Sequence, residues 1–206
     1  TGEFIGLLDH DDLLWPNALY ECVTTLQHYP KAGLIYSDED KLSADGKKHL
    51  DPFFKPDWSP DYLRSLNYIT HFTVLSRPVF DKIGGFLKKY DGAQDWNLFL
   101  RATNFLSKGS TDQIVHIPTV LYCWRQSEGS TANVKAMTGV KKYVTDAQRS
   151  ALVDDLAERG LTGAVEPSLH WTWRVRYKIV GHPKVSIIIP TKDQVALLGR
   201  CLDSII

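Results

Sequence analysis

Two short acidic segments carry the residue types best suited to binding a metal ion. Asp9 and Asp11 stand two residues apart directly after the apolar run of residues 4–8, and Asp38 and Asp40 repeat that spacing after a second apolar run. Two carboxylates at the carboxyl end of a strand can hold a hard divalent cation, which can in turn hold a diphosphate. The alternative for Asp38 and Asp40 is a turn-forming role, because a predicted hairpin follows them.

Asp12 extends the first acidic segment and lies shortly before a predicted helix. An acid in that place can cap the helix and interact favourably with its positive end, which is the alternative to metal binding for this segment. The first 60 residues are net acidic and the remainder is net basic. This asymmetry favours bound cations in the first third and an anionic ligand close to it.

A further acid stands at the start of a predicted helix. Gln94, Asp95 and Trp96 follow a loop that contains glycine. The helix dipole stabilises a carboxylate there as the anion, and such a carboxylate can act as a general base on an acceptor hydroxyl; the alternative is a simple cap. Trp96 is either a core residue or a platform on which a sugar stacks.

The segment after Arg125 combines groups that bind phosphate. Arg125 ends an apolar run and precedes a loop with Gly129, Ser130 and Thr131. An arginine beside hydroxyl groups and glycine suits a diphosphate, and the alternative is a solvated turn. His116 lies within an apolar run, where a histidine is more typical of a core than of a ligand set.

The composition is that of a globular chain without a general affinity for nucleic acid. The 206 residues are 43% hydrophobic and 23% charged, with 24 basic and 24 acidic residues. This balance disfavours disorder and provides no basic field for nucleic acid. The three cysteines are far apart and odd in number, which disfavours a disulfide framework, and no apolar run is long enough to span a membrane.

Apolar spacing predicts the elements that must position these residues. A strand over 4–8, a helix over 16–29 and a strand over 33–37 form a βαβ unit with an expected right-handed parallel crossover, and a hairpin tip follows at 44–47. The other predicted elements are a helix over 59–66, a strand over 69–75, a helix from Arg77 to Gly84, a helix over 94–106, strands over 114–118 and 120–124, a helix over 141–159, a strand over 170–180, a strand over 185–191 and a helix from about Val195.

Four segments, taken in order, resemble the family-2 glycosyltransferases with the GT-A fold. They are residues 2–12, 83–86, 92–101 and 116–125. The resemblance implies an inverting, hexosyltransferase-like enzyme that moves a sugar from a nucleotide-diphosphate sugar to a saccharide or lipid-linked saccharide acceptor.

The same resemblance implies roles for particular residues. Asp9 and Asp11 match the pair that holds the Mn²⁺ or Mg²⁺ of the donor, and Asp95 matches the general base, although Gln94 stands where many members have Glu. Many members have a histidine at the position of Cys123 or of Ser127, and that histidine can complete the metal shell. The implied donor- and acceptor-binding residues are Asp12, Gln94, Trp96, Arg125 and Ser130, with Asp38, Asp40 and Ser127 as weaker members.

The resemblance also predicts how the chain is organised. Its fold class is α/β, an incomplete GT-A domain, Rossmann-like with a mostly parallel sheet, that lacks its N-terminal nucleotide-binding strands. Residues 1–138 match the C-terminal part of a first glycosyltransferase domain, 139–182 a linker of helix and strand, and 183–206 the first strand and helix of a second domain. This organisation resembles bacterial tandem enzymes that build surface polysaccharides in the cytoplasm, including at the inner face of the membrane.

Two expectations follow from this organisation. The 206 residues alone should lack transferase activity, and residues 185–189 should pair beside 4–8, within one chain or by exchange between two chains. Two other functions stay open, namely a metal-dependent phosphoryl hydrolase and a non-catalytic carbohydrate-binding or scaffold module. Neither a nucleic-acid partner nor a transmembrane segment is expected.

Overall fold

The computed structural model describes residues 2–109, 113–126 and 142–205, which form a mixed α/β fold. The strands are β1 (Phe4–Gly6), β2 (Leu13–Leu14), β3 (Leu34–Leu42), β4 (His49–Phe53), β5 (Thr73–Ser76), β6 (Ile114–Arg125), β7 (Gly163–Pro167) and β8 (Trp173–Tyr177). The helices are α1 (Ala18–His28), α2 (Pro60–Ser65), α3 (Arg77–Ile83), α4 (Gln94–Leu106), α5 (Lys142–Glu158) and α6 (Val195–Asp203).

The main sheet is mixed, and β3 is its central strand. The strand order is β1-β5-β3-β6-β2, with β4 paired to the carboxyl end of β3. The β3–β6 pair is parallel and the other pairs are antiparallel. Because β1 and β3 are both antiparallel to β5, the strands β1, β3 and β6 run in the same direction. This arrangement is compatible with a Rossmann-like fold.

The predicted βαβ unit is present with one correction, because β5 lies between its two strands. Leu75 of β5 pairs with Ile5 of β1 on one side and with Leu34 of β3 on the other. Val74 and Leu75 are buried, as expected for a strand that has a neighbouring strand along each of its two edges. Strand order depends on this long-range packing, which local periodicity does not contain.

The strand β3 continues through the acidic segment that was predicted to follow it. The prediction ended this strand at residue 37, whereas it runs to Leu42 with Asp38, Glu39 and Asp40 buried inside it. A buried carboxylate is tolerated only when it has partners, and the structure supplies them from distant segments. The turn-forming alternative for Asp38 and Asp40 was therefore wrong, and the hairpin turn follows beyond Leu42.

The strand β6 is a single strand where two were predicted on either side of a proline. Its register with β3 skips Pro118 and Thr119, which form an exposed bulge. A bulge accommodates a proline because the missing backbone N–H is not required by the ladder there.

One hydrophobic core joins the sheet to α4, α5 and the β7–β8 hairpin. Among its members are Leu34 of β3, Trp96 of α4, Leu152 of α5 and Trp173 of β8. Helices are present at both predicted positions, 94–106 and 142–158, whereas β7 was not predicted because only its central valine is a typical strand residue. The proposed boundary at residue 139 lies outside the described residues, and the division into domains stays a prediction.

The last part of the chain differs from its prediction in one element. The helix from Val195 is present as α6, but residues 185–191 are not a strand. Val185 and Ile188 are 80% and 91% exposed, and β1 forms its ladder with β5 alone among the described strands. Pairing of 185–189 with 4–8 within one chain was therefore wrong, since β1 has no ladder with this segment. Exchange between two chains stays a prediction.

Asp155 of α5 provides a test of how this helix is held to the rest of the fold. Its carboxylate accepts from Arg64 Nε of α2 at 3.0 Å and from Arg159 Nε at 2.6 Å, and it is 4% exposed. Asp155→Asn should lower the free energy of unfolding by about 3–5 kcal/mol, because, among the described residues, Arg159 would lose its ion-pair partner and Arg64 would keep only the exposed Asp61.

Urea denaturation measures this effect, and Asp146→Asn is the matched control. Asp146 lies on the same helix and is exposed, so its substitution should change the free energy of unfolding by less than about 0.5 kcal/mol. Equal stability of the two variants would contradict the importance of the Asp155 pairs.

Candidate functional site

A cleft at the carboxyl end of β1 brings together residues that are far apart in the sequence. It has a volume of about 590 Å³, and its polar lining residues are Asp9, Thr70, His71, Gln94, Asp95 and Tyr122. A larger cleft of about 760 Å³ lies at the other end of β1 and contains none of the predicted site residues. The smaller cleft is therefore the candidate active site.

The loop after β1 carries the predicted metal pair. Asp9 is exposed and lines the cleft, and its backbone N–H donates to the Tyr122 hydroxyl at 3.3 Å. The side chain of Asp11 is 42% exposed, and its backbone carbonyl accepts from Arg125 Nε at 2.7 Å. Contacts from β6 thus fix the backbone of this loop and leave both carboxylates at the surface, where a cation can reach them.

Asp12 joins the same loop to β6. Its carboxylate accepts from the Tyr122 hydroxyl and, at 2.8 Å, from the Arg125 backbone N–H. Burial raises the pKa of Asp12, and these two hydrogen bonds oppose that rise. The helix-capping alternative for Asp12 was wrong, because Asn17 directly precedes α1. Asp12 binds the loop to the sheet, and a role in substrate binding stays a prediction.

The predicted base, Asp95, lies in the first turn of α4 and lines the cleft. Its Oδ2 atom accepts from Asn67 Nδ2 at 2.8 Å and from the Thr70 hydroxyl at 3.4 Å. Two donors on one oxygen hold the carboxylate in a single orientation, with the helix dipole also favouring the anion. The cleft therefore brings Asp9 of the predicted metal pair together with Asp95, whereas Asp11 does not line it. The roles of these acids stay predictions.

The two neighbours of Asp95 differ in their environment. Gln94 Oε1 accepts from the Gly92 backbone N–H at 2.8 Å, so this side chain closes the loop before α4. Trp96 is 3% exposed, and its indole N–H donates to the Leu63 carbonyl at 2.8 Å. Trp96 is thus a core residue, which favours the core alternative over a sugar-stacking platform.

Sequence reasoning missed His71, which lines the cleft opposite the loop of Asp9. Its Nδ1 atom lies 3.1 Å from Glu39 Oε2, and its backbone N–H donates to the same oxygen at 2.7 Å. The ring stacks on Tyr122 with centroids 5.2 Å apart and meets the Trp124 ring at a tilt of 43°, with centroids 4.5 Å apart. The available signal was a titratable side chain, next to Thr70, within the run predicted as a strand over 69–75.

The charges around His71 are set by Glu39 and Lys55. Burial acts to raise the pKa of Glu39, but the charges of Lys55 and His71 outweigh it and lower this pKa to about 2. Burial acts to lower the pKa of His71, but the hydrogen bond and charge of Glu39 outweigh it and raise this pKa. Glu39 therefore favours the protonated form of His71 in the cleft.

The weaker site candidates on β3 face other partners. Asp38 Oδ1 lies 2.8 Å from His116 Nε2, and Asp40 Oδ2 lies 2.8 Å from His49 Nδ1. The side chain of His116 is 5% exposed, which confirms its prediction as a core histidine. Neither Asp38 nor Asp40 lines the cleft. The predicted loop residues Ser127 and Ser130 lie outside the described residues.

Comparison with known proteins relates this arrangement to polysaccharide synthesis. No protein-family model matches the chain. The O-antigen biosynthesis protein RfbC of Myxococcus xanthus is 41% identical over 205 residues, which are 100% of this chain and 15% of that protein. Chondroitin synthase of Pasteurella multocida is 23% identical over 141 residues, which are 68% of this chain and 14% of that protein. The resemblance to glycosyltransferases of a surface-polysaccharide pathway is confirmed.

These relatives are much longer than the chain. The uncharacterized protein y4gI of Sinorhizobium fredii, 39% identical over 209 residues, matches 100% of this chain, which spans 22% of that protein and 15% of RfbC. The activity, substrates and partners of the whole protein are therefore proposals. Among the helices of the described residues, none has the length and apolar character needed to cross a membrane.

The pair of His71 and Glu39 predicts a pH-dependent contribution to stability. Because folding raises the pKa of His71 above its ordinary value of 6.5, the contribution is complete below about pH 6.5 and is lost as the pH rises through the folded-state pKa. His71→Gln should therefore lower the free energy of unfolding by about 1–3 kcal/mol more near pH 6 than near pH 9.

Urea denaturation of both proteins at the two pH values measures this difference. His10→Gln is the control, because the side chain of His10 is 97% exposed and its only described ion contact is at 3.8 Å, to Asp11. A deficit of His71→Gln that is the same at both pH values would show that the lost stability is packing and not charge.

Proposed function

We propose that this chain supplies the metal-binding and base residues of an inverting family-2 glycosyltransferase with a GT-A fold, hexosyltransferase-like in its chemistry. The donor is a nucleotide-diphosphate sugar, and the acceptor is a saccharide or lipid-linked saccharide of a bacterial surface polysaccharide. The observation that carries this proposal is that Asp9 and Asp95 line one cleft. The names of the relatives support the polysaccharide pathway. We place the reaction in the cytoplasm, including the inner face of the membrane.

The chemistry of Asp9 and Asp11 fits a hard cation. Both carboxylates are at the surface, and carboxylate oxygen is the ligand that Mn²⁺ and Mg²⁺ prefer. The cation, when bound there, would neutralise charge on the donor diphosphate as it leaves. Arg125 holds the backbone of Asp11, and it keeps this loop in place for the donor.

Asp95 is the general base in this proposal. Its two described hydrogen bonds both end on Oδ2, so we assign proton transfer to Oδ1. The acceptor hydroxyl gives its proton to Oδ1 while its oxygen attacks the anomeric carbon. The bond from that carbon to the diphosphate oxygen breaks on the opposite face, the diphosphate keeps the electron pair, and the configuration inverts.

His71 adds the positive charge that the chain itself provides in the cleft. Nδ1 lies 3.1 Å from Glu39 Oε2; when His71 is protonated, Nδ1–H donates to Glu39 and Nε2–H can donate to an anionic group of the donor. A fixed donor in a cleft stabilises charge that develops on a leaving group without needing to reorganise.

Substitution of Asp95 tests the base. Asp95→Asn in the full-length protein should leave donor binding nearly unchanged and lower turnover by about 10²–10⁴-fold, because the amide cannot accept the proton. Sugar transfer from a panel of nucleotide sugars to lipid-linked and free saccharide acceptors is the measurement. Asp91→Asn, at an exposed aspartate in the loop before the same helix, should retain activity.

The same assays separate the competing functions. Turnover of Asp95→Asn near that of Asp91→Asn would assign the base to another group. Phosphate release without any acceptor sugar would favour a phosphoryl hydrolase. Saccharide binding without turnover of any nucleotide sugar would favour a non-catalytic module. Transfer by the 206 residues alone would contradict the expectation that this segment needs further strands to bind the donor.

Substitution of the acidic pair tests the cation site. Asp9→Asn and Asp11→Asn should each weaken binding of Mn²⁺ with UDP, GDP or dTDP by at least about tenfold, since even outer-shell changes at metal sites have effects of that size. Isothermal calorimetry of the full-length protein measures the affinity. Asp81→Asn on α3, an exposed aspartate, is the control, and unchanged affinity in Asp11→Asn would remove this residue from the metal site.

A further inference from the structure

Three residues from three strands of the main sheet bring different metal-binding groups together. They are Asp40 of β3, His49 of β4 and Cys123 of β6, and one ligand atom from each lies within 4.8 Å of the other two. His49 Nδ1 is 2.8 Å from Asp40 Oδ2 and 3.9 Å from Cys123 Sγ. The sheet itself fixes this meeting, because Asp40 and Cys123 are paired residues in the parallel β3–β6 ladder.

This cluster lies on the face of the sheet opposite the candidate active site. On β6, the rings of Tyr122 and Trp124 both contact His71 of the cleft, and Cys123 stands between them in sequence. On β3, Glu39 bonds to His71, and Asp40 is the next residue. Successive side chains of a strand point to opposite faces, so Asp40 and Cys123 face away from the cleft, and neither lines it. Cys123 is therefore not placed to complete the metal shell of Asp9 and Asp11, the role that the resemblance implied for a histidine at its position.

The buried carboxylate of Asp40 independently points to a missing partner. Asp40 is 6% exposed, and its Oδ1 atom is buried without a well-aligned hydrogen bond among the described residues; the thiol of Cys123, a weak donor, lies beside this carboxylate. A buried carboxylate oxygen without a strong donor is costly, and native proteins rarely retain one without a water, an ion or a ligand. A cation between the three side chains would satisfy this oxygen.

We propose that Asp40, His49 and Cys123 form a second metal site that binds Zn²⁺, separate from the Mn²⁺ or Mg²⁺ site of Asp9 and Asp11. A set of one thiolate, one imidazole and one carboxylate is typical of zinc, whereas Mg²⁺ and Mn²⁺ prefer oxygen ligands alone. Bonds of about 2.0–2.3 Å at tetrahedral angles place ligand atoms roughly 3.3–3.8 Å apart, so only small side-chain rotations are needed.

The accessibility of the site allows an ion to enter. The side chain of His49 is 44% exposed, while that of Asp40 is 8% exposed, so the cluster is open on the histidine side. Water from that side can supply the fourth ligand. The bound ion would join the β4 strand to β3 and β6, and it would hold the hairpin against the sheet.

Zinc binding at this site releases protons. The Cys123 thiol is buried. Zinc binds a cysteine as the thiolate and a histidine as the neutral imidazole, so the thiol proton passes to solvent when the ion binds.

Cobalt substitution tests the proposal on the full chain. Metal-free, reduced protein titrated with Co²⁺ should develop a thiolate-to-cobalt charge-transfer band in the near ultraviolet that saturates at one ion per chain, and Zn²⁺ should abolish it. Cys123→Ser should remove the band, and Asp40→Asn should weaken Zn²⁺ binding by at least about tenfold in a competition assay with a chromophoric chelator.

Matched variants distinguish this site from other thiols and from the acidic pair. Cys22→Ser and Cys201→Ser should each keep the band, because these thiols lie outside the cluster. The double substitution Asp9→Asn and Asp11→Asn should also keep it. Absence of the band in the wild-type protein, or its persistence in Cys123→Ser, would overturn the proposal. Loss of the band in the Asp9 and Asp11 double variant would instead assign the ion to the active-site cleft.

Discussion

The buried charge of Glu39 is the interaction on which the candidate active site depends. Glu39 lies in the central strand, where its Oε2 atom accepts from Lys55 Nζ at 3.0 Å and from the His71 backbone at 2.7 Å. The side chain of Lys55 is fully buried and its ion pair is with Glu39, so removal of Glu39 would leave the Lys55 charge without that partner, at a cost of several kcal/mol. Lys55 also donates to the Thr70 carbonyl, so one cluster ties two loops to the sheet. The position of His71 in the cleft is a consequence of the charge beneath it.

Because side chains alternate along β3, its acidic residues contact different partners on the two faces of the sheet. Glu39 supports the cleft, while Asp38 and Asp40 pair with His116 and His49 away from it. Two elements border the cleft. One is the start of α4, a helix that is buried along most of its length, and the other is the loop after β1, which hydrogen bonds to β6 hold in place. A base on a rigid helix and a cation site on a fixed loop suit a reaction that needs both groups at set positions.

Much of the local structure was predictable because local energies determine it. The helix α4 was predicted over its observed range from apolar spacing, and α3 ends at Gly84 in the left-handed conformation that glycine favours. The hairpin turn near Gly46 was likewise predictable from turn residues. The placement of Asp9 after a strand and of Asp95 at a helix start followed from the same local patterns. Each of these features depends on residues within a few positions of one another.

The tertiary structure alone decided which distant groups meet. The insertion of β5 between β1 and β3, and the continuation of β3 through its acids, depend on packing and ion pairs between segments far apart in the chain. His71 could not be assigned to the cleft from sequence, because its role comes from Glu39. The same holds for the cluster of Asp40, His49 and Cys123, which three strands assemble. By itself the sequence determined where helices, turns and exposed acids lie, since propensity and periodicity are local. A charged side chain can be buried only where a partner compensates the loss of its hydration, and that partner comes from a distant segment that only the folded chain brings close.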